Sequence, residues 1–141
     1  MGIQASGAGV FRSTNNGATW TNVVFGLPNL GIRSLAVIGT NLFAVTEGGV
    51  FLSPSNGDYW IPVNTGLTNT SIHSLAAIGT NLYAGTENGL FVSTNNGTTW
   101  TPAGLTGETV NALAAIDTYF FAGTAAHGVF RSTNSGADWE P

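Results

Sequence analysis

Short apolar runs alternate with polar, glycine-rich turns along the chain. The unit is clearest in the second quarter of the sequence, where four runs follow one another: Ile32 to Ile38, Leu42 to Thr46, Val50 to Ser53 and Tyr59 to Val63. Runs of this length, rich in β-branched and aromatic residues and bounded by Gly and Asn, are typical of β-strands in an antiparallel meander. The pattern has no helical period, so it predicts an all-β chain.

An eight-residue stretch, which we call the box, closes each such unit. Its four copies are Ser13 to Trp20, Ser53 to Trp60, Ser93 to Trp100 and Ser132 to Trp139. Their tryptophans are separated by 40, 40 and 39 residues. A fixed period of this size indicates a repeat architecture.

The box reads Ser-x-(Asn/Ser)-x-Gly-x-x-Trp. Its structural positions are Ser13, Asn15, Gly17, Trp20, Ser53, Ser55, Gly57, Trp60, Ser93, Asn95, Gly97, Trp100, Ser132, Asn134, Gly136 and Trp139. The short polar residue at the third position can hydrogen-bond backbone amides inside a turn, and the glycine can adopt positive φ. We expect each Trp to bury its ring against an adjacent strand or blade.

These boxes resemble the Asp-box, or BNR, repeat of sialidases, sortilin-type ectodomains and photosystem-assembly-factor-like propellers. The resemblance implies a hairpin turn between the third and fourth strands of a propeller blade, with a structural role and no part in catalysis. The family's Asp is Asn or Ser in all four copies here. The sequence therefore excludes any role that needs a carboxylate at that turn.

Four-stranded units that repeat about every 40 residues match β-propeller blades. We predict one domain over 1–141, with a partial repeat at 1–31 and repeats at 32–71, 72–109 and 110–141. A solenoid is the alternative, but its parallel stacking does not suit short hairpin turns. The chain holds about 3.5 repeats, fewer than the four to eight that close known propellers. We expect closure by a head-to-tail homodimer, in which the N-terminal hairpin of one chain could complete the last blade of the other.

Charge limits the classes of partner. The chain has three arginines and no lysine against seven acids, which gives a net charge of −4. This composition provides no basic surface for nucleic acid or for an anionic membrane. With no cysteine, the chain has neither disulfides nor thiolate ligands, but its compartment stays open. No secretion signal is visible, although the family resemblance slightly favours an extracellular protein. Met1 to Ser6 match a loose N-myristoylation pattern, which we interpret as part of the repeat.

Positions that vary between repeats identify a candidate ligand site. Alignment of the first strands places Arg33, His73 and Asn111 at one equivalent position on the innermost strand. Polar residues that line a wet channel mouth would give the same pattern. A second variable set, Glu47, Glu87 and His127, falls at the turn between the second and third strands. Phe25 to Gly31 and Asn64 to Thr70 are the predicted channel-mouth loops.

A sialidase would need an arginine cluster, a nucleophilic Tyr with an acidic partner and an acid/base carboxylate. The sequence shows no such set, so we predict no catalytic residues, no metal ligands and no cofactor. The favoured function is a non-enzymatic binding or assembly module for glycan or protein. The alternatives are a glycoside hydrolase whose site is built across an oligomer, and an engineered or truncated propeller without native activity.

Overall fold

A computed structural model describes residues 8–141 of the chain. Met1 to Ser6, which carry the myristoylation pattern and the start of the predicted first repeat, lie outside the described residues. The described part is all-β, with 13 strands. None of its residues forms a helix with the length and apolar character needed to cross a membrane.

The strands form a short hairpin and three sheets, which we call the leading hairpin and blades 1 to 3. The leading hairpin is β1 (Phe11–Arg12) and β2 (Thr21–Asn22). Blade 1 is β3 (Ser34–Ile38), β4 (Asn41–Thr46), β5 (Gly49–Ser53) and β6 (Ile61–Pro62). Blade 2 is β7 (Ile72–Ile78), β8 (Asn81–Thr86), β9 (Gly89–Ser93) and β10 (Thr101–Pro102). Blade 3 is β11 (Val110–Ile116), β12 (Tyr119–Thr124) and β13 (Val129–Ser132), to which an isolated bridge between Arg131 and Glu140 adds a fourth segment.

Within each sheet, strands that are consecutive in the chain pair antiparallel, which confirms the predicted meander and excludes the solenoid. The fourth strand is shorter than predicted: Tyr59 to Val63 contains only the two-residue strand β6. The reason is that Trp60 directs its backbone N–H away from β5, to the carbonyl of Phe25 at 2.9 Å. That carbonyl belongs to the loop after the leading hairpin.

The hydrophobic core lies between the sheets. Phe43, Val45 and Val50 of blade 1 pack against Ile72 and Leu75 of blade 2 in one buried cluster. Two further clusters join the leading hairpin to blade 1 and blade 2 to blade 3. Each blade is therefore stabilised mainly by its neighbours, as expected for a repeat protein.

The boxes form nearly identical turns. In each copy the Ser hydroxyl accepts the glycine N–H at 2.8 Å. The side-chain oxygen at the third position accepts the backbone N–H of the residue four positions later. Asn95 accepts from Thr99 at 2.9 Å, and Ser55 accepts from Tyr59 at 3.3 Å. The glycine has positive φ in all four copies, as predicted, and so does the residue before it, for example Asn96 at 56°. The serine bond and this second left-handed residue are features that the sequence reasoning did not predict.

Three of the four tryptophans bind the preceding repeat and not the strand that follows them. The indole Nε1 of Trp100 donates to the carbonyl of Val63 at 2.8 Å, and that of Trp60 donates to Val23 at 2.8 Å. Trp139 shares its indole N–H between the carbonyl of Ala103 at 3.2 Å and that of Gly136, in its own box, at 3.1 Å. The prediction that every Trp ring is buried is wrong for Trp20, which is 62% exposed. No sheet precedes its box among residues 8–141, so its ring has no such partner there.

Candidate functional site

The loops that connect one blade to the next, together with the turns between second and third strands, form one end of the molecule, which we call the loop face. The strand register puts the start of each inner strand at this end, because Ile72 pairs with Thr86 and Val110 pairs with Thr124. The two variable sets predicted from the sequence therefore lie at the same end. The boxes lie at the opposite end.

An open pocket of about 490 Å³ lies on the loop face between blades 1 and 2. Its lining residues are Arg33, Glu47, Thr68, Asn69, Thr70 and Ser71. The pocket thus brings together a residue of the first variable set, a residue of the second, and part of the predicted loop at Asn64 to Thr70. All of its lining residues have polar side chains, so it suits a ligand that forms hydrogen bonds.

Two short turns fix the walls of this pocket. Asn69 accepts the N–H of Ser71 at 2.8 Å, and Asn29 accepts the N–H of Gly31 at 2.7 Å, so each Asn side chain closes its own loop. Asn29 also donates to the Glu47 carboxylate at 3.0 Å. Glu47 is therefore held in place by the loop that leads into blade 1.

Arg33 is the most available charged group of the pocket. Its backbone N–H donates to Val45, and its guanidinium makes a single long hydrogen bond, 3.5 Å from Nη1 to the carbonyl of Ile72, within the described part of the chain. Arg33 is exposed. A guanidinium has five N–H donors, so most of this donor capacity can reach a ligand.

His73 lies in blade 2 at the position equivalent to Arg33, but its geometry differs. Its Nε2 is buried without a hydrogen-bond partner among residues 8–141 and lies 3.8 Å from the Glu87 carboxylate, which is too far for a hydrogen bond. Asn111, the third member of the set, is exposed on blade 3. The three residues therefore follow the inner rim of consecutive blades and do not converge on one point.

Blade 3 carries a different polar pair at the loop face. The ring Nδ1 of His127 lies 2.8 Å from the Glu108 carboxylate. Sequence reasoning singled out His127 as variable but missed Glu108, because the two residues are 19 apart and meet only when the loop before blade 3 folds over the turn. A backbone hydrogen bond from Ala125 to Thr109 at 2.9 Å holds that loop and turn together.

The other two arginines do not belong to the loop face. Arg12 pairs with Asp58 at 2.8 Å and also donates to the carbonyl of Asn56 at 3.0 Å. Arg131 pairs with Glu140 at 3.1 Å. Both lie next to a box serine, at the opposite end. Among residues 8–141, no three His, Cys, Asp or Glu side chains are grouped as metal ligands would be.

Comparison with known proteins identifies the fold. A model of the DUF6242 beta propeller domain matches residues 54–141, which is more than half of the chain. Comparison with curated protein sequences gives no match. The structure of YCF48 bound to D1 peptide has a TM-score of 0.71 at 18% identity and aligns over 95% of this chain and 49% of YCF48.

Two other solved structures show the same fold. An ancestral GH74 enzyme has a TM-score of 0.69 at 19% identity, over 82% of this chain and 18% of the enzyme. The computationally designed Ika4 protein has a TM-score of 0.63 at 11% identity, over 82% of this chain and 73% of Ika4. The chain thus spans about a fifth of the enzyme and half of YCF48. These likenesses confirm that the sheets are β-propeller blades.

Proposed function

This chain belongs to the DUF6242 β-propeller domain family, and on that basis we propose that it is a non-enzymatic binding module that holds its partner on the loop face. The observation that carries this proposal is the open polar pocket with the exposed Arg33 guanidinium at its edge. The same turn geometry recurs in every repeat at the box end, while the side chains of the loop face differ from blade to blade. Binding residues are commonly found on loops that a rigid scaffold positions.

A protein segment is the partner class that we favour. YCF48, which shares the fold, has been solved with a bound peptide. The pocket offers an arginine, hydroxyl groups and an amide side by side, which are suited to the carboxylates and carbonyls of a peptide. A glycan is the second candidate class, since hydroxyl groups can use the same donors and acceptors.

The alternative function is a glycoside hydrolase whose active site is completed by another chain, which the GH74 likeness supports. Such an enzyme needs two carboxyl groups on either side of the scissile bond. Glu47 is the carboxylate of the pocket, and it is tied to Asn29. A second carboxylate would have to come from outside the pocket.

Peptide and glycan arrays, run beside a panel of fluorogenic glycosides, test these functions. We expect binding to the arrays without glycoside turnover. The matched variants are Arg33→Ala, which should weaken the signal, and Arg131→Ala, which removes the same charge at the opposite end and should preserve it. Turnover of any glycoside that depends on Glu47 would overturn the binding-module proposal in favour of the enzyme.

We also propose that the boxes are Asp-box turns in which Asn or Ser replaces the family's Asp. The amide or hydroxyl oxygen accepts the same kind of backbone N–H that a carboxylate would accept, for example from Thr99 to Asn95 at 2.9 Å. Asn95→Asp should therefore leave the fold and its stability nearly unchanged. A large loss of thermal stability in that variant would show that the position requires a neutral side chain and would separate these turns from the Asp-box.

Finally, we propose that the 141-residue chain closes its propeller as a head-to-tail homodimer. Open end faces of a repeat array leave apolar surface in water, and such patches normally become interfaces. Heterologous contacts close into a ring when the rotation allows. Light scattering at micromolar concentration should give twice the chain mass of 14.5 kDa. A monodisperse species of one chain mass would contradict the homodimer and leave the loop-face proposal standing.

A further inference from the structure

The outward face of blade 3 is apolar and uncovered. Directly paired residues lie on the same face of a sheet, so the register of β11 to β13 shows which residues belong to this face. Its members are the apolar residues Ala112, Ala114, Ile116, Tyr119, Phe121 and Val129 and one charged residue, Arg131, whose guanidinium carbon lies 5.8 Å from the centre of the Tyr119 ring. Tyr119 stacks on Phe121 with ring centroids 6.4 Å apart, and Ile116 and Val129 are largely exposed.

The two central positions of this face are buried wherever another blade follows. Val129 is 60% exposed, whereas Leu90, its equivalent in blade 2, is 1% exposed. Tyr83, the equivalent of Phe121, packs against Phe120 of blade 3 with centroids 4.7 Å apart and donates its hydroxyl to Ser135 at 2.7 Å. The uncovered face of blade 3 therefore has the chemistry that another sheet of this repeat covers inside the chain.

A complementary surface lies on blade 1. Leu35 shares a face with Ala44 and looks toward the leading hairpin, away from blade 2. It is 49% exposed, while its equivalent in blade 2, Leu75, is 7% exposed because blade 1 covers it. Val37 on the same face is also exposed. A sheet placed beside the leading hairpin would cover both residues.

The leading hairpin is already attached to that side of blade 1. Val10 packs in one cluster with Phe51 and Trp60, and Trp60 donates its indole N–H to Val23 at 2.8 Å. Arg12 binds the Asp58 carboxylate and the Asn56 carbonyl of the blade 1 box. The hairpin therefore stays with blade 1, and the edge of β1 that faces away from β2 stays free for a partner strand.

The strands β1 and β13 carry the same residues. Gly9 to Ser13 and Gly128 to Ser132 both read Gly-Val-Phe-Arg-Ser. In blade 3, β13 pairs with β12 so that Arg131 lies opposite Phe121 and Val129 lies opposite Gly123. Strand β1 can form the same ladder with β12, with Arg12 opposite Phe121 and Val10 opposite Gly123.

From these observations we infer that the homodimer is closed by strand exchange, an inference that rests on the homodimer proposed above. The leading hairpin of one copy takes the place beside β12 of the second copy that β13 and the segment bridged to it at Glu140 occupy in the single chain. Trp20 then takes the place of Trp139 against Phe120 and the carbonyl of Ala103. The blade completed in this way is continuous with blade 1 of the first copy. The two uncovered faces meet, and the exposed Trp20 is buried.

The exchange also determines the number of blades. Each copy contributes blades 1 and 2 and one composite blade, so the ring has six blades, within the range of four to eight for known propellers. Both copies use their leading hairpin in the same way, which makes the two junctions equivalent. The residues of β13 and those after it are released from each blade 3.

A disulfide trap tests the exchange, because the chain has no cysteine of its own. The test pair is Val10→Cys with Gly123→Cys. Thr124 donates its backbone N–H to the carbonyl of Gly128, so these two residues form a hydrogen-bonded pair. Hydrogen-bonded and non-hydrogen-bonded pairs alternate along an antiparallel ladder, so Gly123 and Val129 form a non-hydrogen-bonded pair. The Cα atoms of such a pair lie close together, which suits a disulfide. A Cβ on Gly123 would lie 3.6 Å from the Ala112 Cβ, an ordinary contact.

After oxidation we expect most of the test variant to run as a covalent dimer on a non-reducing gel. Trypsin cleaves after Arg12, Arg33 and Arg131, so the linked peptides should be 1–12 and 34–131. The matched control, Gly123→Cys with Val129→Cys, reports the ladder within one chain and should stay largely monomeric on the gel. Val10→Cys alone controls for links between two identical positions.

The outcomes separate the exchange from the homodimer itself. The exchange is overturned and the homodimer preserved if three results come together. Light scattering gives a dimer, the control variant forms its disulfide in full, and the test variant forms no link between positions 10 and 123. A chain that scatters light as a monomer removes both. A link between positions 10 and 123 within one chain would also contradict the exchange, since it would show closure inside a single copy.

Discussion

The two ends of this molecule differ in how far their contacts repeat from one unit to the next. At the box end, all four copies repeat the same serine-to-glycine bond at 2.8 Å, and three of them repeat the indole bond to the preceding blade. At the loop face, the equivalent position holds Arg33, His73 or Asn111, each with different surroundings. The repeated end holds the blades together, so the other end is free to vary, and we place binding there.

The largest expected effect tests the box end at its tryptophans. Trp100→Ala should lower the free energy of unfolding by about 3–5 kcal/mol, because it removes a large buried side chain and leaves the Val63 carbonyl without its donor. Trp100 is 3% exposed. Trp139→Ala, at a half-buried site, should cost less. Urea unfolding followed by tyrosine fluorescence or circular dichroism measures both.

Trp20→Ala is the control for that prediction. Its ring is exposed in the single chain, so we expect a loss below about 1 kcal/mol at concentrations where the chain is monomeric. Equal losses for Trp20 and Trp100 would contradict the view that the indole bond to a preceding blade is what makes the box stabilising.

An intermediate effect is expected at the box serines. Ser93→Ala removes the acceptor of a buried glycine N–H and should cost about 1–3 kcal/mol, the penalty for an unsatisfied buried donor. Ser13→Ala removes the same bond in an exposed turn, where water can replace it, and should cost less. Differential scanning calorimetry of the two variants measures the difference. A larger loss for Ser13 would show that the turn is stabilised locally and not through burial.

The smallest effect on stability is expected at the loop face. Arg33→Ala with His73→Ala should change the free energy of unfolding by no more than about 1 kcal/mol, because neither side chain makes a short hydrogen bond within residues 8–141. The same variant should weaken ligand binding by about 1.5–3 kcal/mol if its hydrogen bonds are charge-assisted. Titration calorimetry with any hit from the arrays measures the change. Unchanged affinity would remove these residues from the site.

Sequence reasoning worked well where the cause is local. The meander, the positive φ of Gly17 and its equivalents, and the amide-binding role of Asn95 all depend on residues within one turn, and the structure shows each of them. The destination of the tryptophans was not predictable in this way. The Trp100 donor and its Val63 acceptor are 37 residues apart and belong to different repeats, so only the packing of blades brings them together.

The loop face was predictable in part for the same reason. Alignment of the repeats singled out Arg33 and Glu47 as members of two separate variable sets, and the structure brings both into one pocket. The burial of the His73 Nε2 and the contact of Glu108 with His127 depend on how neighbouring loops fold over the rim. Their residue types alone do not reveal those contacts.

At Trp60, Trp100 and Trp139 an indole bond reaches from one repeat back to the repeat before it, and this direction has a genetic consequence. Its span is 37 residues at Trp60 and Trp100 and 36 at Trp139, slightly less than one period. A tandem duplication that copies one full period therefore adds a donor and an acceptor together, wherever its breakpoints fall. Unequal crossing-over can lengthen or shorten such a gene by whole blades. An added blade already carries the tryptophan donor that binds the blade before it, so no new contact has to evolve.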